Sequence, residues 1–362
     1  TITPSPTPTE TPTPPAGCDN PLPADPGTTW NSLDINGAMS GYTGSAGGAV
    51  YVCGSGGGIG GAMDAFRYVY RVVSSPNVEL IARVSNWNGG ANSAAQGGLM
   101  IRNATAPNSA HGAGVLIGSG GLSKLWRTGD GEGTSEASGG TASTPVWLRL
   151  LKIGNTLVAY RSANGSSWTR VGGLDTVSLG GTYLVGMAVS AHTNGQYAYA
   201  TFDSISVNTS PAPVTIASEG FESGNISGGM GWSGSWSLSG NAAVTTQGSP
   251  RTGSYHLRLL SNDGAAARAV DMSGVLNPRL QFSWKADSFE GQEYALVEIY
   301  DGSTWRQLLR VDNGQDDNIY HSEDIDLSSY TMTSSLQLRF RSQMSGTNDY
   351  FYVDDVVITG YR

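Results

Sequence analysis

Short segments in which apolar and polar side chains alternate at every second residue recur along most of the chain. Residues 66–72 put Phe66, Tyr68, Tyr70 and Val72 on one side and Arg67 and Arg71 on the other. Residues 78–84 do likewise, with Glu79 and Arg83 outward, and 147–152 and 197–203 continue the series. A period of two means strands with one buried and one wet face. Gly, Ser and Asn clusters separate these segments, the spacing of a sandwich or jelly roll. The alternation returns at 255–259, 280–284, 294–300 and 336–340, beyond a Pro-bearing stretch at 208–213. The expected fold class is all-β, with two antiparallel β-sandwich (jelly-roll) modules in tandem and an extended Thr/Pro-rich N-terminal segment. The expected boundaries are 1–17 for that segment, 18–208 for the first sandwich, 209–217 for a linker and 218–362 for the second sandwich.

Composition agrees with strands rather than helices. Gly is the commonest residue, charged residues make up 14%, and Lys occurs only at Lys124, Lys152 and Lys285. Gly, Ser, Thr and Asn compete against helical backbone, whereas Ala, Leu, Glu and Lys favour it. A length of 362 residues allows two domains that each bury a core. The net charge of −9 excludes a duplex-binding role, because phosphate neutralisation needs clustered Lys and Arg. The longest apolar run, 183–189, falls well short of the roughly 18 residues of a membrane span. The chain opens on Thr1, as expected where a signal peptide has been removed or where the chain is a piece of something longer.

Residues 1–15 read TITPSPTPTETPTPP, a composition that favours extended polyproline II and suits a spacer or an O-glycosylated stalk. Cys18 and Cys53 leave two readings. In an oxidising compartment they close a loop of about 35 residues, contributing roughly 3 to 4 kcal/mol in the loop-entropy model; otherwise they are two unrelated buried thiols. Neither has the close Cys or His neighbour of a zinc site.

The strings 98–102 (GLMIR), 147–150 (WLRL), 160–168 (YRSANGSSW), 185–190 (VGMAVS) and 200–207 (ATFDSISV) resemble modules of the concanavalin-A-like lectin/glucanase superfamily, over about 34–207. The opening strings 220–224 (GFESG) and 232–236 (WSGSW) and the closing 349–358 (DYFYVDDVVI) are similar to jelly-roll modules of the MAM type and of carbohydrate-binding module families, over about 218–358. Both resemblances imply a secreted bacterial protein. In such a protein the Asn-x-Ser/Thr sequons at Asn103, Asn164, Asn208 and Asn225 carry no weight.

The second resemblance also implies a structural calcium held by Glu222 and Asp355, with Glu219 and Asp354 as near neighbours; the other reading is four ordinary outward-facing acids. Calcium takes six to eight hard oxygens, so two carboxylates need carbonyls or water to complete the set. The acidic run 312–318 (DNGQDDN) lacks EF-hand spacing and reads as a polar turn between strands.

Catalytic signatures are missing. The glucanase branch carries Glu-x-Asp-x-x-Glu along one strand, which this sequence lacks, and there is neither a Gly-x-Ser-x-Gly elbow nor a His-Glu-x-x-His motif. Glycines 56–61 formally match Gly-x-Gly-x-x-Gly, but a strand follows them rather than a phosphate-holding helix. Glycan binding uses exposed rings flanked by polar side chains. The candidates are Trp87, Trp126 and Trp168 in the first module and Trp236, Trp305 and Tyr350 in the second, each also readable as a packing residue. Trp147 and Trp284 alternate with apolar neighbours and read as core. The expectation is a non-catalytic extracellular structural or adhesive protein, a subunit of a cell-surface filament or matrix whose N-terminal segment packs on a neighbouring copy. The alternative is a pair of carbohydrate-binding, lectin-like modules that meet extracellular polysaccharide.

Overall fold

The computed structural model describes residues 13–25, 28–36 and 39–362, and of residues 262 and 263 the backbone alone. The described residues form strands, turns and loops, with no helix among them, so no helix is long and apolar enough to cross a membrane. The chain divides between Pro211 and Ala212 into two compact units.

Strands of the first unit are β1 (Asn31–Ile35), β2 (Tyr42–Ala46), β3 (Ala49–Gly56), β4 (Phe66–Val73), β5 (Asn77–Asn88), β6 (Gln96–Arg102), β7 (His111–Ile117), β8 (Gly121–Arg127), β9 (Ser135–Thr141), β10 (Val146–Ile153), β11 (Thr156–Ser162), β12 (Thr169–Thr176), β13 (Tyr183–Ser190) and β14 (Thr193–Asn208). They pair antiparallel in two seven-stranded sheets, ordered β1-β4-β13-β6-β7-β8-β9 and β12-β11-β10-β5-β14-β3-β2. The core lies between them. On β5, Val78, Leu80, Ala82 and Val84 face it, while Glu79 and Arg83 face outward and pair with Arg149 and Asp203, each at 2.7 Å. Residues 78–84 thus behave as their alternation predicts.

Residues 66–72 do not. Val69 and Val73 enter the inter-sheet core, while Phe66 and Tyr68 join a second buried cluster with Ile35, Ile59, Met100 and Leu125 on the far side of the first sheet. That side is not wet, because the glycine-rich loop before β4 lies on it through Ile59. All eight residues of β13 are buried as a result, and Val72, expected inside, is 58% exposed.

Cys18 and Cys53 are joined by a disulfide, with Cα atoms 5.7 Å apart. It is buried among Tyr42, Tyr51 and Tyr199. The Tyr51 and Tyr42 hydroxyls donate to the Asp19 and Leu22 carbonyls, and Ser45 N–H donates to the Pro23 carbonyl. Residues 18–25 are thereby laid against β2 and β3. The expected packing of 1–17 on another copy falls mainly on residues 1–12, outside the described ones.

The second unit comprises β15 (Val214–Glu219), β16 (Trp232–Thr245), β17 (His256–Val270), β18 (Leu276–Asp287), β19 (Tyr294–Tyr300), β20 (Trp305–Asp312), β21 (His321–Asp326), β22 (Leu336–Gln343) and β23 (Tyr350–Tyr361). The stretch 209–217, expected to be bare linker, already contains the start of β15. The strands form one sheet, β20-β19-β22-β17-β23-β18-β21, with β15 on β23 and β16 on β17. β17 turns the corner: residues 257–260 pair with β23 and residues 265–270 with β22. The sheet therefore folds over one core that holds Trp236, Phe282, Trp284, Phe340 and Phe351. The acidic run 312–318 makes a turn after β20, with Gln315 N–H donating to the Asp312 carbonyl.

Candidate functional site

The three tryptophans singled out in the first unit lie in separate places. Trp87 lines a cleft with Asn88, Asn92, Ser119 and Thr144. One side of its ring rests on Gly97, where a Cβ would fall 2.2 Å from the ring, and its N–H donates to the Gly118 carbonyl at 2.7 Å. Trp126 packs against the inter-sheet core beside the buried Lys124, whose ammonium lies 5.4 Å from its ring. Trp168 lies on the outer side of the second sheet, where Arg149 stands 5.8 Å from it and 4.8 Å from Tyr160. Trp147, expected in the core, belongs to that outer side too, because it shares the parity of Arg149 on β10.

The strongest polar constellation of the first unit is buried and structural. Strand pairing places Arg102, His111 and Arg127 side by side on β6, β7 and β8, and Asp64 sits over them. Asp64 accepts from Arg102 at 2.5 Å and from both terminal nitrogens of Arg127 at 2.8 Å, all three side chains being fully buried. Arg127 also donates to the Gly61, Pro107 and Ser109 carbonyls and to the Thr134 hydroxyl, fastening three loops to the sheet. Burial, reinforced by the two guanidinium charges, holds the His111 imidazole down at about 4 although Asp64 is 3.6 Å away. The side chains of this cluster are enclosed and face no groove.

In the second unit one of the expected rings is not available. Trp236 is 1% exposed and packs on Phe221, Trp232 and Phe340; its N–H donates to Glu219. It belongs to the core, which corrects its reading as a glycan residue. Tyr350 is half-buried and stacks on Tyr352 at 5.7 Å. Trp284 is core, as expected.

Trp305 is different, because the sheet face around it is open. Strand register sets out rows across β20, β19, β22 and β17: Trp305, Tyr300, Gln337 and Ala269; then Gln307, Glu298, Arg339 and Ala267; then Arg310, Leu296, Arg341 and Ala265; then Asp312, Tyr294 and Gln343. The opposite parity, with Val297, Ile299, Leu338 and Phe340, fills the core. Leu296 and Glu298 lie low in the face, and three alanines line its β17 side. Above them stand the rings of Tyr294, Tyr300 and Trp305 among amides and guanidinium groups. Trp305 and Tyr300 are 5.5 Å apart; Arg339 lies 3.8 Å over Trp305 and Arg310 lies 3.7 Å over Tyr294.

The sequence reading names Trp305 and none of its neighbours on this face. The alternation at 294–300 and 336–340 draws the eye to its apolar half. The signal was the other half, in which Tyr294, Tyr300, Gln337 and Arg339 share one side.

Three of the four acids named for calcium converge on the loop 251–255. Glu222 accepts the Ser254 and Tyr255 N–H groups at 2.8 and 2.9 Å. Gly253, at φ +59°, makes room for it, since a Cβ there would fall 2.2 Å from its carboxyl carbon. Asp354 is fully buried and accepts from the backbone N–H of Arg251, Thr252 and Asp355, and burial pushes its carboxyl up to about 6. Asp355 accepts the Thr252 hydroxyl at 2.7 Å. Glu219 is excluded, because it is sealed in an ion pair with Arg268 at 2.7 Å. Among the described residues no group of three or more His, Cys, Asp or Glu side chains is placed to hold a metal ion. The donors fit calcium in kind, as hard oxygens around a buried acid, and loop carbonyls or water would have to complete the number.

No family model and no curated protein matches the sequence. Among solved structures, the chain is similar to a functionally unknown protein from Saccharomyces cerevisiae, at 15% identity and TM-score 0.40, over 50% of this chain and 97% of that one. It is similar to the CBM22-1-CBM22-2 tandem domain of Paenibacillus barcinonensis Xyn10C, at 16% identity and TM-score 0.34, over 91% and 93%. It is also similar to TmCBM61, solved in complex with β-1,4-galactotriose, at 17% identity and TM-score 0.29, over 38% and 92%.

Proposed function

We propose that this chain is a non-catalytic, extracellular carbohydrate-binding protein whose glycan platform is the open face of the second unit. The observation that supports this is the row arrangement around Trp305, which puts half-buried rings, amides and guanidinium groups on one rigid sheet. The rings orient the guanidinium groups lying over them and leave their remaining surface for the apolar parts of sugars, while Gln, Arg and Glu hydrogen-bond sugar hydroxyls. Neighbouring strands present such groups every 4.8 Å or so with little freedom to lose on binding. Of the two sequence readings, this arrangement favours tandem carbohydrate-binding modules over a filament subunit. The Cys18–Cys53 disulfide fits an oxidising compartment.

The test is binding of the whole chain to a panel of polysaccharides, compared with Trp305→Ala. The substitution is expected to weaken binding about 10- to 30-fold, the range for truncating an aromatic anchor, with an unchanged melting temperature. An affinity untouched by the loss of this ring sinks the platform.

We also propose a calcium ion at the loop 251–255, held by Glu222 and Asp355. Chelation is then expected to lower the melting temperature of the second unit, because an ion at about 100 times its dissociation constant stabilises by roughly 2.7 kcal/mol. Superimposable melting curves with and without chelator remove the ion.

A further inference from the structure

The open face holds its cations in a way that names a class of glycan, an inference that rests on the glycan reading above. Residues 212–362 carry 18 Asp and Glu against 10 Lys and Arg. Three of those ten cations, Arg310, Arg339 and Arg341, nevertheless stand on this one face with two acids, Glu298 and Asp312. The acids occupy the inner nitrogens. Arg310 Nε donates to Asp312 at 2.7 Å, and the Nε atoms of Arg339 and Arg341 donate to the same oxygen of Glu298 at 2.8 and 2.9 Å. The terminal nitrogens of Arg310 and Arg341 have no hydrogen-bond partner among the described residues, and these side chains are 38% and 31% exposed.

The rings tell against a neutral ligand. Arg310 covers the Tyr294 ring and Arg339 covers the Trp305 ring, each within 4 Å. A neutral pyranose that stacks on those surfaces must first displace a guanidinium, losing a cation–π contact. A sugar carrying a carboxylate displaces nothing. It meets a guanidinium fork already oriented by a ring or an acid, and planar carboxylates pair with that fork through two parallel hydrogen bonds. Arg310 and Arg341 flank Leu296 in one row, two strand spacings or about 10 Å apart. We propose that the open face selects acidic, uronate-bearing polysaccharide over neutral polysaccharide, with Arg310 and Arg341 as the carboxylate-binding pair.

Isothermal titration calorimetry of the whole chain at physiological salt tests this with polygalacturonate, the same backbone fully methyl-esterified, neutral xylan and galactan, and dextran sulfate. The expected result is binding to polygalacturonate at least tenfold tighter than to its methyl ester. In the double variant Arg310→Gln/Arg341→Gln that preference disappears while the melting temperature holds. Equal affinity for the acid and its ester overturns the charge selection and leaves glycan binding standing. Binding of dextran sulfate without polygalacturonate overturns the uronate assignment. Failure to bind any of the five overturns both this inference and the platform beneath it. Should the double variant not fold, the acid-versus-ester comparison on the unaltered chain still decides.

Discussion

Replacing Asp64 by alanine is expected to destabilise the first unit by about 3 to 5 kcal/mol, the usual cost of removing one partner from a buried ion cluster. The reason is the imbalance left behind. Arg102 and Arg127 are fully buried on the two strands that flank β7, with one carboxylate bridging them, and without it two positive charges share an interior that screens them poorly. For a unit of this size the loss corresponds to a fall in melting temperature of roughly 6 to 20 °C. Asp64→Asn is expected to come close to the same result, since an amide accepts at one atom and neutralises nothing. Scanning calorimetry reads the effect as a shift of the first unit's transition, and a shift below about 1 kcal/mol would show that the carbonyls around Arg127 hold the cluster without the acid.

Trp236→Ala is expected to cost the second unit about 3 to 5 kcal/mol, the range for emptying a buried aromatic site. The ring touches Phe221, Trp232 and Phe340, and its N–H reaches Glu219, whose charge is matched to Arg268 in the same interior. The substitution therefore leaves a cavity beside an ion pair. Well below the melting transition, glycan affinity is expected to stay at the level of the unaltered chain, the reverse of Trp305→Ala. A Trp236→Ala chain that melts normally but fails to bind would return this residue to the site.

These opposite fates show what the sequence makes legible. The fold follows from side-chain parity, and parity is local: Val78, Leu80, Ala82 and Val84 are alternate residues and all four reach the core. Exposure of a single ring is not local. Trp236 stands among serines and a glycine, which reads as surface, and is buried because Phe221 and Phe340 arrive from distant segments. Trp147 stands among leucines, which reads as core, and lies on the outer side because it has the parity of Arg149. Phe66 and Tyr68 alternate with charged residues, but which loop covers their side of the sheet is decided by Ile59 and Asp64, through contacts with β6, β7 and β8 that no spacing encodes. The open face was half visible. Its residues alternate within each strand, but the order β20-β19-β22-β17 that lines them up is a property of the folded sheet.

The bond between Cys18 and Cys53 has a mechanical consequence. Tension applied at the N terminus passes through sulfur directly into β3 and bypasses the 35-residue separation between them, which includes β1 and β2. Those residues cannot lengthen under load, which withholds about 120 Å of slack from the chain. Whatever pulls on the Thr/Pro-rich end therefore pulls on a strand inside the second sheet of the first unit.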